Sequence, residues 1–152
     1  MHRNQLVKAG AAALGTTLAL ATAQVATAAA TQAGTAAAGP KVTVTIKDRT
    51  KTLLATKTVR TKPGWITRGG ALTGKCPATS AQGALNVATR GHWKGKWYAS
   101  YHEYYITGIL GETETTKKYY WGLYVNGKST SKGACLVKLK SGDRLVFKVT
   151  KG

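Results

Sequence analysis

From residue 119 to residue 149 the chain reads YYWGLYVNGKSTSKGACLVKLKSGDRLVFKV, and this stretch decides the fold. Successive side chains of a strand point to opposite faces, so the first seven residues predict a half-buried strand. One face carries the apolar residues Trp121, Leu123 and Val125. The opposite face carries Tyr120 and Tyr124.

Two turn sequences divide the remainder of this stretch. Asn126-Gly127 tolerates positive φ, and residues 141–143 read Ser-Gly-Asp, which is a second turn signal. The segments that follow these turns predict two further short strands, over residues 136–140 and 144–149. The last strand therefore runs nearly to the end of the chain.

The preceding part of the chain predicts strands around one helix. Alternating β-branched residues at 41–47 and again at 52–59 predict a β-hairpin. Residues 77–90 predict a helix with Thr79 or Ser80 as N-cap, and the aromatic segments 93–101 and 104–110 predict strands. This order predicts an α+β, β-grasp-like fold, in which one helix packs on a mixed sheet of about five to seven short strands.

The same region carries a family resemblance. Its motifs are Ile-Leu-Gly-Glu at 109–112, the Tyr-Trp-x-x-Tyr-Val-Asn-Gly hairpin at 120–127, Gly-Ala-Cys at 133–135 and Gly-Asp at 142–143. With these motifs the chain resembles small secreted domains of unknown function related to the C-terminal β-domain of transcobalamin and intrinsic factor. The resemblance covers roughly the last hundred residues and implies the same β-grasp-like fold. In transcobalamin-type proteins this domain covers a cobalamin held against a helical barrel. The chain has no room for that barrel, so we expect no cobalamin and no other cofactor.

The start of the chain predicts export. Arg3 and Lys8 precede a run of small apolar residues that ends in Ala26-Thr27-Ala28, which is typical of a signal peptide over residues 1–28. Residues 29–40 contain Ala, Thr, Gly and Gln and predict a flexible linker, and residues 41–152 form one domain. We expect a secreted or cell-wall-associated protein with no transmembrane segment after removal of the signal.

Cys76 and Cys135 are the two cysteines of the chain. In an oxidising compartment, a pair separated by most of a domain predicts a disulfide rather than a metal or catalytic site.

The chain is strongly basic. Its formal net charge is +18, and it is +16 without Arg3 and Lys8. Such a charge draws a protein to anionic cell-wall polymers and acidic glycans, and to nucleic acid only non-specifically, although it also serves solubility. Because the lysines are spread along the chain, they predict a solvated basic surface rather than a basic arm.

Ten tyrosines and tryptophans lie between residues 93 and 124, and a one-helix domain cannot bury all of them. The predicted binding surface consists of Lys94, Lys96, Tyr98, Tyr120 and Tyr124. Its partner would be an anionic polymer, a glycan or an extracellular protein. The alternative is an ordinary sheet surface with cross-strand aromatic pairs.

Catalysis is not indicated. The alternative function is a small secreted hydrolase, such as a nuclease, that uses His92 and His102, which would have to face one phosphate. Nothing in their spacing places them across a cleft, and no cluster of His, Cys or carboxylates has metal-ligand spacing. We therefore expect a non-enzymatic binding domain.

Overall fold

The computed structural model describes residues 37–67, 74–113, 116 and 118–152. The predicted signal peptide (1–28) and residues 29–36 of the predicted linker lie outside the described residues. At the linker's end, the Gly39 N–H donates to the Thr61 carbonyl, and the Thr61 N–H donates to the Pro40 carbonyl, at 3.2 and 3.1 Å. Gly39 and Pro40 thus run beside the end of the first hairpin.

The described chain is mostly β and is divided among three sheets. Its elements, in chain order, are β1 (Lys41–Lys47), β2 (Thr52–Arg60), β3 (Trp65–Ile66), β4 (Cys76–Pro77), α1 (Ala81–Ala88), β5 (Trp93–Tyr98), β6 (Glu103–Ile109), β7 (Tyr119–Val125), β8 (Lys128–Ser129) and β9 (Arg144–Lys151). The main sheet has the strand order β2-β1-β9-β7-β8, and the pairs β3-β4 and β5-β6 form separate two-stranded sheets. Among the described residues, no helix has the length and apolar character needed to cross a membrane.

The main sheet follows the alternation of its sequence. β1 pairs with β2 antiparallel and with β9 parallel, and β9 pairs with β7 antiparallel. Because the β1-β9 and β9-β7 pairings run without a register shift, the apolar residues of β1, β7 and β9 share one face. This face carries the buried side chains Val42, Val44, Ile46, Trp121, Leu123, Leu145, Phe147 and Val149.

The helix forms where the sequence predicts it. The Ser80 side chain caps α1 by accepting the Gly83 N–H at 3.4 Å, and the chain leaves the helix through Gly91, whose φ is +80°. The buried face of α1 packs against β1 and β2. It contains Ala81, Ala84, Leu85 and Ala88.

The predicted disulfide is confirmed. Cys76 and Cys135 are bonded with their Cα atoms 5.2 Å apart, and both side chains are buried. The bond fastens β4 to the loop that follows β8.

The prediction of an α+β, β-grasp-like fold is wrong. The structure has a single eight-residue helix among its described residues, and its strands do not form one sheet. Positive φ angles at Leu110 and Gly111, with Ile109 and Glu112 hydrogen-bonded to each other, turn the chain sharply after β6. β6 and β7 belong to different sheets, and the β5-β6 hairpin is a sheet of its own.

The predicted strand over residues 136–140 is also wrong. Its one ladder contact is an isolated bridge between Lys138 and Ser80. Carbonyls of this region instead accept hydrogen bonds from the start of α1: the Ala81 N–H donates to Val137 O and the Gln82 N–H to Ala134 O, both at 3.1 Å. The first N–H groups of a helix have no partner within the helix, so this loop satisfies two of them.

Candidate ligand-binding surface

Three of the predicted binding residues lie on one face of β5. Lys94, Lys96 and Tyr98 alternate along the strand and are exposed. The Tyr98 ring meets the Tyr105 ring of β6 edge-on with 6.4 Å between centroids, and Lys96 Nζ lies 5.3 Å from the Tyr98 centroid. The outer face of the β5-β6 hairpin therefore combines two tyrosines with two ammonium groups.

The other two predicted residues lie on β7, on the face opposite Trp121. Tyr120 is exposed, and Tyr124 is half-buried with Lys148 Nζ of β9 lying 4.2 Å from its ring centroid. A hydrogen bond with Thr150, with a smaller contribution from the positive charge of Lys148, lowers the pKa of Tyr124. Between the two tyrosines, a side chain at Gly122 would meet Thr150 Oγ1 at 2.7 Å. Glycine therefore leaves room for this Tyr124–Thr150 contact.

A groove lies between the two sheets that carry these faces, and of the five predicted residues only Tyr120 lines it. β6 and β7 lie side by side without pairing, and a groove of about 190 Å³ between them is lined by Tyr105 from one strand and Tyr120 from the other. Tyr105 is 43% exposed and Tyr120 is 38% exposed. We call this feature the tyrosine groove. Sequence analysis placed Tyr120 on the binding surface but did not include Tyr105, because alternation does not show which strands are neighbours.

The loop after β8 forms one wall of the tyrosine groove, which residues 129–134 line. The Thr130 N–H donates to Leu123 O at 3.1 Å, and the Lys132 N–H donates to Thr130 Oγ1 at 3.0 Å. Burial raises the pKa of Glu103, also in the groove, and a hydrogen bond from the Gly133 N–H opposes that rise. These contacts hold the wall against β6 and β7.

Packed aromatic rings support the hairpin from inside. The buried Tyr104 ring packs edge-on against Trp93 and Trp97, with centroids 5.3 and 4.9 Å apart. Its hydroxyl donates to the Gly74 carbonyl at 2.7 Å. Because these rings fill the inner face of the hairpin, the position of Tyr105 on the outer face is fixed by the core.

The two candidate catalytic histidines do not share a site. His92 precedes the end of the hairpin where Trp93 pairs with Ile109, and His102 lies in the turn at the other end, beyond the Tyr98–Glu103 pair. Five residue steps of about 3.3 Å separate these ends, on the order of 17 Å. The His92 ring is engaged locally, with Nδ1 2.9 Å from Thr89 O. Within the described ranges, no group of three His, Cys, Asp or Glu side chains is arranged to hold a metal ion.

A family model matches the part of the chain that contains the tyrosine groove. Residues 84–151 match the model of a domain of unknown function (DUF4430). No curated protein sequence matches the chain.

Among solved structures, the chain is similar to haptocorrin in complex with Cbi. The TM-score is 0.55 at 17% identity, and the match covers 74% of this chain. The chain spans about a quarter of that protein, since 25% of the haptocorrin chain is covered. It is also similar to a candidate metal-binding protein from Ruminococcus gnavus ATCC 29149, with a TM-score of 0.49 and 16% identity over 74% of this chain and 98% of that one. The haptocorrin match confirms a transcobalamin-like fold.

Proposed function

We propose that this protein is a secreted, non-enzymatic domain that binds a glycan or anionic polymer of the cell envelope through the tyrosine groove and the lysines beside it. The observation that carries the proposal is the convergence of Tyr105 and Tyr120, from two separate sheets, on one groove. A tyrosine ring offers a flat apolar face with a polar end, which suits contact with a sugar ring or polymer backbone.

The exposure of these rings supports binding over ordinary sheet packing. Tyr105 also pairs across strands with Tyr98, yet Tyr105 and Tyr120 leave 43% and 38% of their surfaces accessible to a ligand. A ligand in the groove would cover both and gain the free energy of removing that surface from water.

The charge of the chain supports an anionic or polar partner. Lys94 and Lys96 project from the strand paired to β6, and Lys148 lies over Tyr124 on the other side. With a formal net charge of +16 without Arg3 and Lys8, the exported molecule attracts anions over a distance set by the ionic strength. Attraction of this kind accelerates encounter, while the rings provide the contact.

Secretion is supported by the disulfide. Structural disulfides persist in oxidising compartments, and a buried Cys76–Cys135 bond is compatible with an extracellular protein. The transcobalamin-like fold is compatible with the same location.

The test uses purified cell-wall sacculi that retain their anionic polymers. Binding of the wild-type protein is compared with that of Tyr105→Ala/Tyr120→Ala in a sedimentation assay at 50 mM NaCl. Each ring contributes about 0.5–1.5 kcal/mol beyond its buried area, so the double variant should bind roughly tenfold more weakly. Tyr101→Ala is the matched control, since Tyr101 is 66% exposed but does not line the groove.

Two results would contradict the proposal. One is equal binding by wild type and the groove variant, with near-ultraviolet circular dichroism showing that both are folded. The other is an affinity unchanged between 50 and 200 mM NaCl, because exposed charge contacts are screened over that range. Retention of soluble proteins instead of wall polymer would favour a bridging role between proteins.

A further inference from the structure

The loop that forms the wall of the tyrosine groove also borders a second concavity. Residues 129–132 line the groove on one side and an open hollow of about 630 Å³ on the other. Three lysines line this hollow, which we call the lysine hollow: Lys128, Lys132 and Lys138.

The lining of the lysine hollow is suited to an anion. Besides the three lysines, the lining consists of the hydroxyl residues Ser129, Thr130 and Ser131 and the apolar residues Val125, Leu136 and Val137, and it contains no carboxylate. Within the part of the chain that the structure describes, no acid forms an ion pair with these lysines. A bound carboxylate or phosphate would supply a counter-charge to these lysines.

The backbone that carries these lysines is held in place without a ligand. The Thr130 N–H donates to Leu123 O, the Val137 carbonyl accepts the Ala81 N–H, and the disulfide at Cys135 lies between these two contacts. A site whose backbone is already ordered loses less conformational entropy on binding.

We infer that the lysine hollow is the anion subsite of the tyrosine groove. The ligand is a sugar polymer that carries carboxylate or phosphate groups, with a sugar ring on Tyr105 and Tyr120 and an anionic group in the hollow. The inference rests on the proposed function and adds the chemical class of the ligand. A neutral glycan would leave the three lysines without a counter-charge, and a polyanion without rings or sugars would leave the two tyrosines uncovered.

The experiment measures affinities of the full exported chain by isothermal titration at 50 mM NaCl. The two anionic sugar probes are polygalacturonate, which carries carboxylates, and glycosylated ribitol teichoic acid, which carries phosphates and sugar rings. Dextran is the neutral sugar probe, and inorganic polyphosphate is the polyanion without sugars or rings. Single-stranded DNA is the nucleic-acid probe, whose bases could stack on the tyrosines. The test variant is Lys128→Gln/Lys132→Gln/Lys138→Gln. The control variant Lys41→Gln/Lys62→Gln/Lys75→Gln removes the same charge at exposed positions that do not line the hollow.

We expect the test variant to bind at least one anionic sugar polymer roughly tenfold more weakly than wild type, since each exposed charge contact is worth about 0.2–1 kcal/mol. The affinity of the control variant should fall by less than about threefold. If only the affinity for polygalacturonate falls, the anionic group is a carboxylate. If only the affinity for teichoic acid falls, it is a phosphate.

The alternative outcomes separate the two proposals. If both lysine variants bind alike while Tyr105→Ala/Tyr120→Ala is impaired, the hollow is not a subsite and the groove proposal stands. If dextran binds as tightly as the anionic sugars, or polyphosphate or DNA binds more tightly than either, the proposed ligand class is wrong. If no probe binds and the sacculi are not bound either, the proposed function itself fails.

Discussion

Removing the disulfide should cost about 4 kcal/mol of unfolding free energy. The Cys76–Cys135 bond joins residues 59 apart in sequence, and the chain-entropy model gives roughly 4 kcal/mol for a closed loop of that length. Cys76 is 0% exposed and Cys135 is 4% exposed, so both sulfurs are part of the core. The variant Cys76→Ala/Cys135→Ala keeps small apolar side chains at both positions, which limits the additional cost of lost packing.

Urea denaturation followed by tryptophan fluorescence measures this loss. With a slope of about 2 kcal/mol per molar urea, the midpoint of the alanine variant should fall by roughly 2 M. The slope should also increase, because an unfolded chain without the crosslink exposes more surface. Wild-type protein that is unfolded, reduced and refolded under reducing conditions is the control, and its transition should lie close to that of the variant.

A decrease in unfolding free energy below about 1 kcal/mol, with the slope of the urea transition unchanged, would contradict this prediction. It would mean that the crosslink hardly restricts the unfolded chain. A loss much above 4 kcal/mol would show that the sulfurs contribute packing that alanine cannot replace. A measurement of binding to teichoic acid, made where the variant is still folded, would show whether the loop also needs the bond to hold the groove wall.

Three further substitutions test individual contacts. Asp143→Ala should lower the unfolding free energy by about 1–2 kcal/mol at pH 7, because the carboxylate accepts the Lys140 N–H. That bond lowers the pKa of Asp143 in the folded state. The wild-type protein therefore has the higher unfolding free energy above the unfolded-state pKa, and the difference disappears as pH falls through the folded-state pKa. Urea titrations at pH 7 and pH 3 measure this difference. Glu103→Gln should raise the melting temperature at pH 7 relative to wild type and leave it nearly unchanged at pH 4. Burial raises the pKa of Glu103 in the folded state. The protonated side chain therefore stabilises the folded protein at low pH, and this stabilisation is lost as pH rises through the folded-state pKa. Gly83→Ala should cost about 3 kcal/mol in chemical denaturation, because the added methyl group would collide with the Ala78 carbonyl; a loss under 0.5 kcal/mol would contradict that steric reading.

Much of the main sheet could be predicted because its alternation is local information. The periodicity of β1, β7 and β9 identifies the buried face, and Ser80 marks the start of the helix. The pairing of strands is not local. Whether β6 joins β7 depends on the turn at Leu110 and Gly111, and the fate of residues 136–140 depends on the helix N–H groups that they meet.

The predicted binding surface remains a prediction, and its five residues lie on strands of two different sheets. Alternation placed Lys94, Lys96 and Tyr98 on one exposed face and Tyr120 with Tyr124 on another. The groove between the two faces could not be predicted, because it arises where two strands approach without hydrogen bonding. For the same reason Tyr105 was not included in the predicted surface, although its sequence neighbours gave the same aromatic signal.

The position of β9 has a consequence for how the chain must be made. The last strand in sequence, Arg144–Lys151, lies at the centre of the main sheet, between β1 and β7. During synthesis or transport, the first hairpin has no neighbour on its inner edge until residues 144–151 have arrived. A product terminated before Arg144 would therefore keep two open sheet edges and be prone to aggregation, while a chain that includes β9 can assemble its core in one cooperative step.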